Sequence, residues 1–310
     1  MSTATAALTK TKRALKRRVK TIVRRTNVVK PADVGTITPL APGASSNPVS
    51  QVTGVKVKIS KTGNAFFKAR SINNGATGVT QYDPASSPSE FAVASSRLAR
   101  ALGLGDVIAR NKWAKLNAQT GVISGEVPGA PITSNTTTGK RYLDIDYQDG
   151  RIQKGLSDLQ LFDAITAQGD RFSQNIFIDR TTGKVTGIDD DASFLSSSSN
   201  KDQAPQFPWL VADDTATKIL KLRSSGLRGV LFRSGDPFPP DDVKDQIIAI
   251  ATARLQAAKD YIKGLPAARR IGSGGWDATT YTTFSAQPGY LKREVDGLAN
   301  FKGTGGIPLP

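Results

Sequence analysis

The sequence predicts an α+β protein of two lobes, a small sheet-bearing lobe followed by a larger, mainly helical one. Three observations carry this. Residues 52–70 alternate apolar and polar side chains around a KTGN turn, the pattern of strand, turn and strand. Residues 88–105 and much of the chain from 155 onward repeat apolar residues at helical spacing. Between them, residues 117–140 are polar and rich in Gly and Thr, which marks a connection between lobes. The lobes are assigned to residues 51–127 and 128–300, with a basic arm and linker over 1–50 and a short tail over 301–310.

The elements follow in chain order. Residues 1–50 hold ten Lys/Arg against the single acid Asp33, a large share of the net charge of +16. Leu15, Val19, Ile22 and Val23 recur at helical spacing and allow a short amphipathic helix, while TPLAPGASSNPVS (38–50) reads as a Pro/Ser linker. This arm is expected to be a disordered basic tail that contacts an anionic membrane or another polyanion through residues 10–25. VTGVKVKIS and AFFKAR form a hairpin with Lys68 on its second arm, and residues 71–88 form a loop. Pro88 and Ser89 open a helix whose face carries Phe91, Ala94, Leu98, Ala101 and Leu102, and Gly103 and Gly105 close it. GLSDLQLFDAITAQG is helical, QNIFIDRTTGKVTGIDDD reads as strand, turn and strand, and SSSSNKDQAP is a loop. Residues 213–222 and 240–264 are helical, and the Gly- and Thr-rich stretch from 272 is anchored by Trp276 and Tyr290.

Composition excludes several chemistries. The chain has no Cys and no His. Disulfides, Cys/His zinc sites, Ser-His-Asp triads and Cys-His dyads are therefore ruled out, and a bound metal must be held by oxygen. That restricts it to Mg²⁺, Mn²⁺ or Ca²⁺. No apolar run approaches 18 residues, so no membrane-spanning segment is expected, and the N-terminus lacks the apolar core of a secretory signal. No Walker A motif is present, which argues against a P-loop ATPase.

The informative stretch is GDRFSQNIFIDRTTGKVTGIDDD, residues 169–191. Asn175 stands where the first strand begins and Asp189 where the second ends, so an antiparallel hairpin sets them side by side. Asp170 lies on the loop that enters the hairpin. Three oxygen-bearing side chains at one open end suit a hard divalent cation and a substrate hydroxyl.

This spacing resembles the catalytic and metal loops of kinases, in which an Asp is followed five residues later by an Asn and then, across a hairpin, by a second Asp. The wording is closest to the phosphatidylinositol 3- and 4-kinase-like branch: Gly169, Asp170, Arg171 and Asn175, then Gly187, Ile188 and Asp189. It also resembles bacterial type III effector kinases, whose Ile-Asp-x-Asp pattern Asp191 matches. The resemblance implies a two-lobed protein-kinase-like fold and an ATP- and Mg²⁺- (or Mn²⁺-) dependent transfer to a protein or lipid hydroxyl. Asp170 would orient or deprotonate the acceptor. Asn175 and Asp189, with Asp191, would hold the metal, and Asp190 or Asp191 would assist. Arg171 would pair with a neighbouring acid and brace the loop. Lys68 would grip the phosphates, paired with Glu90, and Gly63 and Asn64 in the KTGN turn would cover them by backbone N–H groups. Phe172 stands where relatives carry a His. That departure leaves open nucleotidyl (AMP) transfer from the same site, or a catalytically inactive kinase-like basic binding protein. A Ser/Thr/Ala-rich start before a basic stretch resembles effectors secreted into a host cell; a cytoplasmic enzyme is the alternative.

Overall fold

The computed structural model describes residues 28–40, 49–59, 62–69, 88–136, 139–194, 206–237 and 241–310. The amphipathic helix expected near residues 15–23, most of the Pro/Ser linker, the loop at 71–87 and the SSSSNKDQAP loop lie outside these residues. The chain is mixed α and β, rich in sheet in its N-terminal part and helical in its C-terminal part.

The N-terminal part is built on one sheet. Its strands are β1 (Val28–Val29), β2 (Ile37–Pro39), β3 (Val49–Val52), β4 (Ala65–Ala69), β5 (Asn111–Leu116) and β6 (Gln119–Gly125), in the order β1-β5-β6-β4-β3-β2. All pair antiparallel except β1 with β5. Two expectations need correction. The first arm of the Lys68 hairpin is β3, not residues 52–60. The chain leaves the sheet after Val52 because Gly54 takes a left-handed φ of +62° and the Val55 N–H turns to Gly63 O. Residues 119–125, read as part of a polar connection, form the strand β6 inside the sheet. Small residues allow this: a Cβ at Gly121 would lie 2.2 Å from Lys68 O, so Gly lets β6 approach β4 closely. The connection is thereby shortened to the few residues after Gly125.

Helix α1 (Pro88–Ala101) follows β4 in the chain and is buried on two faces. Ala92 and Val93 pack on Trp113 and Val122 of the sheet. Phe91, Ala94, Leu98 and Leu102 belong to the main core shared with the C-terminal helices. A helix apolar on two sides is stable only between two layers, and this one joins sheet to helices. Gly103, at φ +71°, ends it, as its position in the sequence indicated.

Strands β7 (Ala130–Pro131), β8 (Thr133–Thr136) and β9 (Gly139–Tyr142) lead to α2 (Gly150–Thr166), the central helix of the C-terminal part. Asp149 caps it by accepting the Arg151 N–H at 2.8 Å. Leu156, Leu159, Phe162 and Ile165 are fully buried, each contributing about 1.5–3 kcal/mol by the usual area argument. Strands β10 (Ile176–Asp179) and β11 (Lys184–Gly187) form the expected hairpin, pairing Ile176 with Gly187, and β7 adds to its other edge. A two-residue pair, β12 (Val211–Ala212) with β13 (Arg270–Ile271), then frames the helices α3 (Asp213–Lys221), α4 (Leu227–Leu231) and α5 (Asp241–Gly264). The stretch from 272 contains two helices that its Gly and Thr content did not suggest, α6 (Ala278–Ser285) and α7 (Tyr290–Gly303). Trp276 and Tyr290 are buried there, as anchors. Among the described residues no helix is long and apolar enough to cross a membrane.

Candidate functional site

The site forms where the sheet meets the β10–β11 hairpin. The two are bonded directly: the Ala109 N–H donates to Gly187 O and the Gly187 N–H to Val107 O, both at 2.8 Å. The Ile188 N–H donates to Asn175 O at 2.9 Å, so the chain leaving β11 stays beside the chain entering β10. Asn175 and Asp189 are therefore neighbours at the hairpin's open end. Asn175 Nδ2 donates to Asp170 O at 3.0 Å, which holds the Asp170 loop against the same end and leaves the Asn175 amide oxygen uncommitted by that bond.

Lys68 reaches this end from β4. Its Nζ lies 2.5 Å from Asp191 Oδ2 and 3.4 Å from Asp189 Oδ1, contacts spanning 123 and 121 residues of chain. The Lys68 side chain is 19% exposed and that of Asp189 44%, so the cluster is open on one side. Burial works against the Lys68 charge, but the Asp191 and Asp189 carboxylates outweigh it and hold the ammonium up to about 12. Burial and the like charge of Asp189 push Asp191 up to about 6, against the pull of Lys68. Burial and Asp189 also raise Asp170 from its ordinary value.

Two pairings differ from expectation. Lys68 makes its ion pairs with Asp189 and Asp191, and Glu90 is not among them; Glu90 is 1% exposed in the first turn of α1. Asp191, expected as a metal ligand, forms an ion pair with Lys68. Geometry explains the exchange: the bend after Asp189, which sits at a left-handed φ of +61°, turns Asp191 back toward the sheet. Gly63 and Asn64, expected over the phosphates, do not line the cleft. Asn64 Nδ2 donates to Glu126 Oε2 at 3.2 Å, bracing the exit from β6. From the sheet side the cleft is lined by Leu40, which follows β2, and Val49, which opens β3; the Leu40 N–H donates to Val49 O at 2.9 Å.

The cleft has a volume of about 390 Å³. That is within the range of small-molecule sites. Leu40, Val49, Phe66 and Val122 line it from the sheet, Phe177 and Ile188 from the hairpin, and Lys68, Asp189 and Asp191 close one end. Glu126, Ser89, Asn111 and Ser124 also line it, so apolar walls that could take a flat ring stand beside polar groups, with the Lys68 ammonium available to an anionic tail. Among the described residues no cluster of three or more acidic side chains is arranged as a ready-made metal cage.

Behind the cleft lies a second, fully buried ionic cluster. The Arg171 guanidinium donates to both carboxylate oxygens of Asp163, at 2.9 and 3.0 Å, to Asp190 Oδ1 at 2.5 Å, and to Ile188 O. The Tyr290 hydroxyl donates to Asp163 Oδ2 at 2.8 Å, and Asn111 Nδ2 to Asp190 Oδ2 at 3.3 Å. Arg171 thus pairs with neighbouring acids and braces the loop, while Asp190 lines the cleft and is tied from behind by Arg171 and Asn111. Burial pushes Asp190 up to about 7 although Arg171 opposes it. Asp163, Asn111 and Gln168 were not singled out from the sequence. Gln168 accepts the Asp170 N–H at 3.0 Å and donates to Asp189 O at 3.1 Å, joining the two loops of the site. Its place two residues before Asp170 was the available signal. Phe172 is 59% exposed beside Asp170. Comparison with protein-family models and with curated proteins finds no match for this chain.

Proposed function

We propose that this chain is an ATP- and Mg²⁺-dependent phosphotransferase on a kinase-like two-lobed fold, acting on a protein or lipid hydroxyl. One observation carries the reading: Lys68, on the sheet, meets Asp189 and Asp191, beyond the hairpin, at the charged end of an apolar cleft. A cation held next to carboxylates at the mouth of such a slot is what a nucleotide triphosphate with its metal requires.

The apolar walls would take the base and Lys68 the phosphates. The donors fit a hard cation: the Asn175 amide oxygen and the half-exposed Asp189 carboxylate supply two protein oxygens, and burial and the Asp189 charge already raise the cost of ionising Asp170. Phosphate oxygens and water would complete a shell that the protein alone does not close. Mg²⁺ bound there would offset the charge that builds on the β- and γ-phosphates. Asp170 orients the acceptor hydroxyl and takes its proton as the hydroxyl oxygen bonds to the γ-phosphorus. The bond to the β,γ-bridging oxygen breaks, and ADP leaves. Phe172 offers an apolar face to the acceptor next to that proton transfer.

Incubation with Mg²⁺ and ATP labelled at the γ or the α phosphorus tests the reading. γ-Label on the product, reduced about 10²-fold or more in Asp170→Asn, is the expected result. α-Label on the product would establish nucleotidyl transfer instead. No transfer, together with salt-sensitive polyanion binding, would make the chain a non-catalytic binding protein. A nucleotide–Mg²⁺ complex should also raise the melting temperature of the wild type and much less that of Asp189→Ala.

A further inference from the structure

We propose that Gln168, which does not line the cleft, is a positioning residue: its amide clamps the Asp170 loop to the Asp189 segment and so fixes the proton acceptor relative to the metal ligand. The inference rests on the phosphotransfer reading and adds the device that sets the two acids in place.

The clamp begins where α2 ends. Ala167 takes a left-handed φ of +51°, and the Gln168 N–H returns to Asp163 O at 3.0 Å, which stops the helix. Gln168 is 1% exposed there. The chain then runs beside the segment that leaves β11, and the Gly169 N–H donates to Ala192 O at 3.2 Å. The Gln168 side chain makes the second link: Nε2 donates to Asp189 O at 3.1 Å, while Oε1 accepts the Asp170 N–H at 3.0 Å. One partner can only donate and the other only accept, so the amide has a single productive orientation. An ionised carboxylate accepts only, and a thioether chain offers no N–H. Asn carries the same amide one methylene too short to span both loops.

The remaining bonds hold each acid singly. Asn175 Nδ2 holds Asp170 O, and Lys68 holds the Asp189 carboxylate from the sheet. Asp189 sits at a left-handed φ of +61°, a conformation that a residue with a Cβ keeps where its surroundings hold it, and the Gln168 bond falls on the carbonyl of that residue. A reacting group about 1 Å out of place costs about 10²-fold in rate. The nucleotide is gripped elsewhere, by the apolar walls and Lys68, so loss of the clamp falls on kcat rather than on KM for Mg²⁺–ATP.

The test compares the full wild-type chain with Gln168→Met, which removes both bonds, and Gln168→Asn, which keeps the amide but not its reach. Casein and phosphatidylinositol vesicles are both supplied as hydroxyl acceptors, and the total loss of γ-label from ATP is counted, transfer to water included. Gln168→Met should lower kcat about 10²-fold and Gln168→Asn by less, with KM for Mg²⁺–ATP within about two-fold of wild type. An unchanged kcat, or a rise in KM that accounts for the whole loss, overturns the proposal. If Gln168→Met does not fold, Gln168→Asn decides by the same criteria. A second measurement needs no turnover: amide hydrogen exchange over residues 169–175 should be about ten-fold faster in Gln168→Met, with α3 unchanged. Equal exchange in the two proteins overturns the clamp. A wild type that releases no γ-label sinks the phosphotransfer reading, and the catalytic role of Gln168 with it, even where the exchange result stands.

Discussion

Two ionic clusters share the short segment that leaves β11, yet they differ in kind. Around Arg171, each group is buried and saturated: the guanidinium is 1% exposed, and Asp163 and Asp190 are fully buried. Around Lys68, the ammonium and Asp189 keep access to solvent, and the cleft opens between them. Adjacent residues are divided between the two, Asp190 inward to Arg171 and Asp189 and Asp191 outward to Lys68. The difference teaches that charge in the DDD run says little until burial is known. A closed cluster specifies geometry, whereas an open one can exchange its partners for a ligand.

Arg171→Met presses hardest on this contrast. It strands two buried carboxylates and should cost about 3–5 kcal/mol, read from urea unfolding. A loss under about 1 kcal/mol would show that the inner cluster is not what holds the two loops together. Lys68→Met should leave the fold intact by circular dichroism while lowering γ-phosphoryl transfer about 10²–10³-fold. If it unfolded the chain as Arg171→Met is expected to, the two clusters would be alike after all.

The pH dependence sharpens the contrast further. The native state keeps protons on Asp190 and Asp191 up to about 7 and about 6, whereas the unfolded chain releases them near the usual value of 3.8. More protons are bound in the native state across that window, so stability from these groups is fully present below it and falls as pH rises through it. Asp191→Asn should flatten the part of this fall that ends near pH 6, on the order of 3 kcal/mol by urea unfolding at several pH values. An unchanged slope would mean that Asp191 is ionised throughout. The smallest effect is expected at Phe172, which is 59% exposed. Phe172→Ala should shift stability by less than about 0.5 kcal/mol, measured by thermal melting.

Much of the site was legible as spacing along one chain segment. A hairpin read from QNIFIDRTTGKVTGIDDD is enough to set Asn175 beside Asp189, because strand pairing is local and its register follows from a short turn. Lys68 was legible as a strand lysine, but its partner was not. Glu90 and Asp191 are both acids within reach of a plausible drawing, and only the left-handed bend at Asp189 selects the second. The turn Gly63–Asn64 was misplaced for a similar reason: Gly and Asn signal a tight turn equally well whether it faces a ligand or, as here, braces Glu126. Residues 119–125 were misread because Gly and Thr mark loops in an average chain, whereas inside a sheet they permit close strands. Helices α6 and α7 were missed because their stability rests on Trp276, Phe284, Tyr290 and Leu291 docking into a core formed elsewhere.

By itself, the sequence determined the division into sheet and helices, the exclusion of Cys and His chemistry, and the oxygen-rich hairpin. These depend on periodicity and composition, which act over a few residues. Only the tertiary structure decided which acid faces Lys68 and which is buried under Arg171. Those choices depend on long-range packing and on how much water each charge keeps, and neither quantity is a property of a residue's neighbours in sequence.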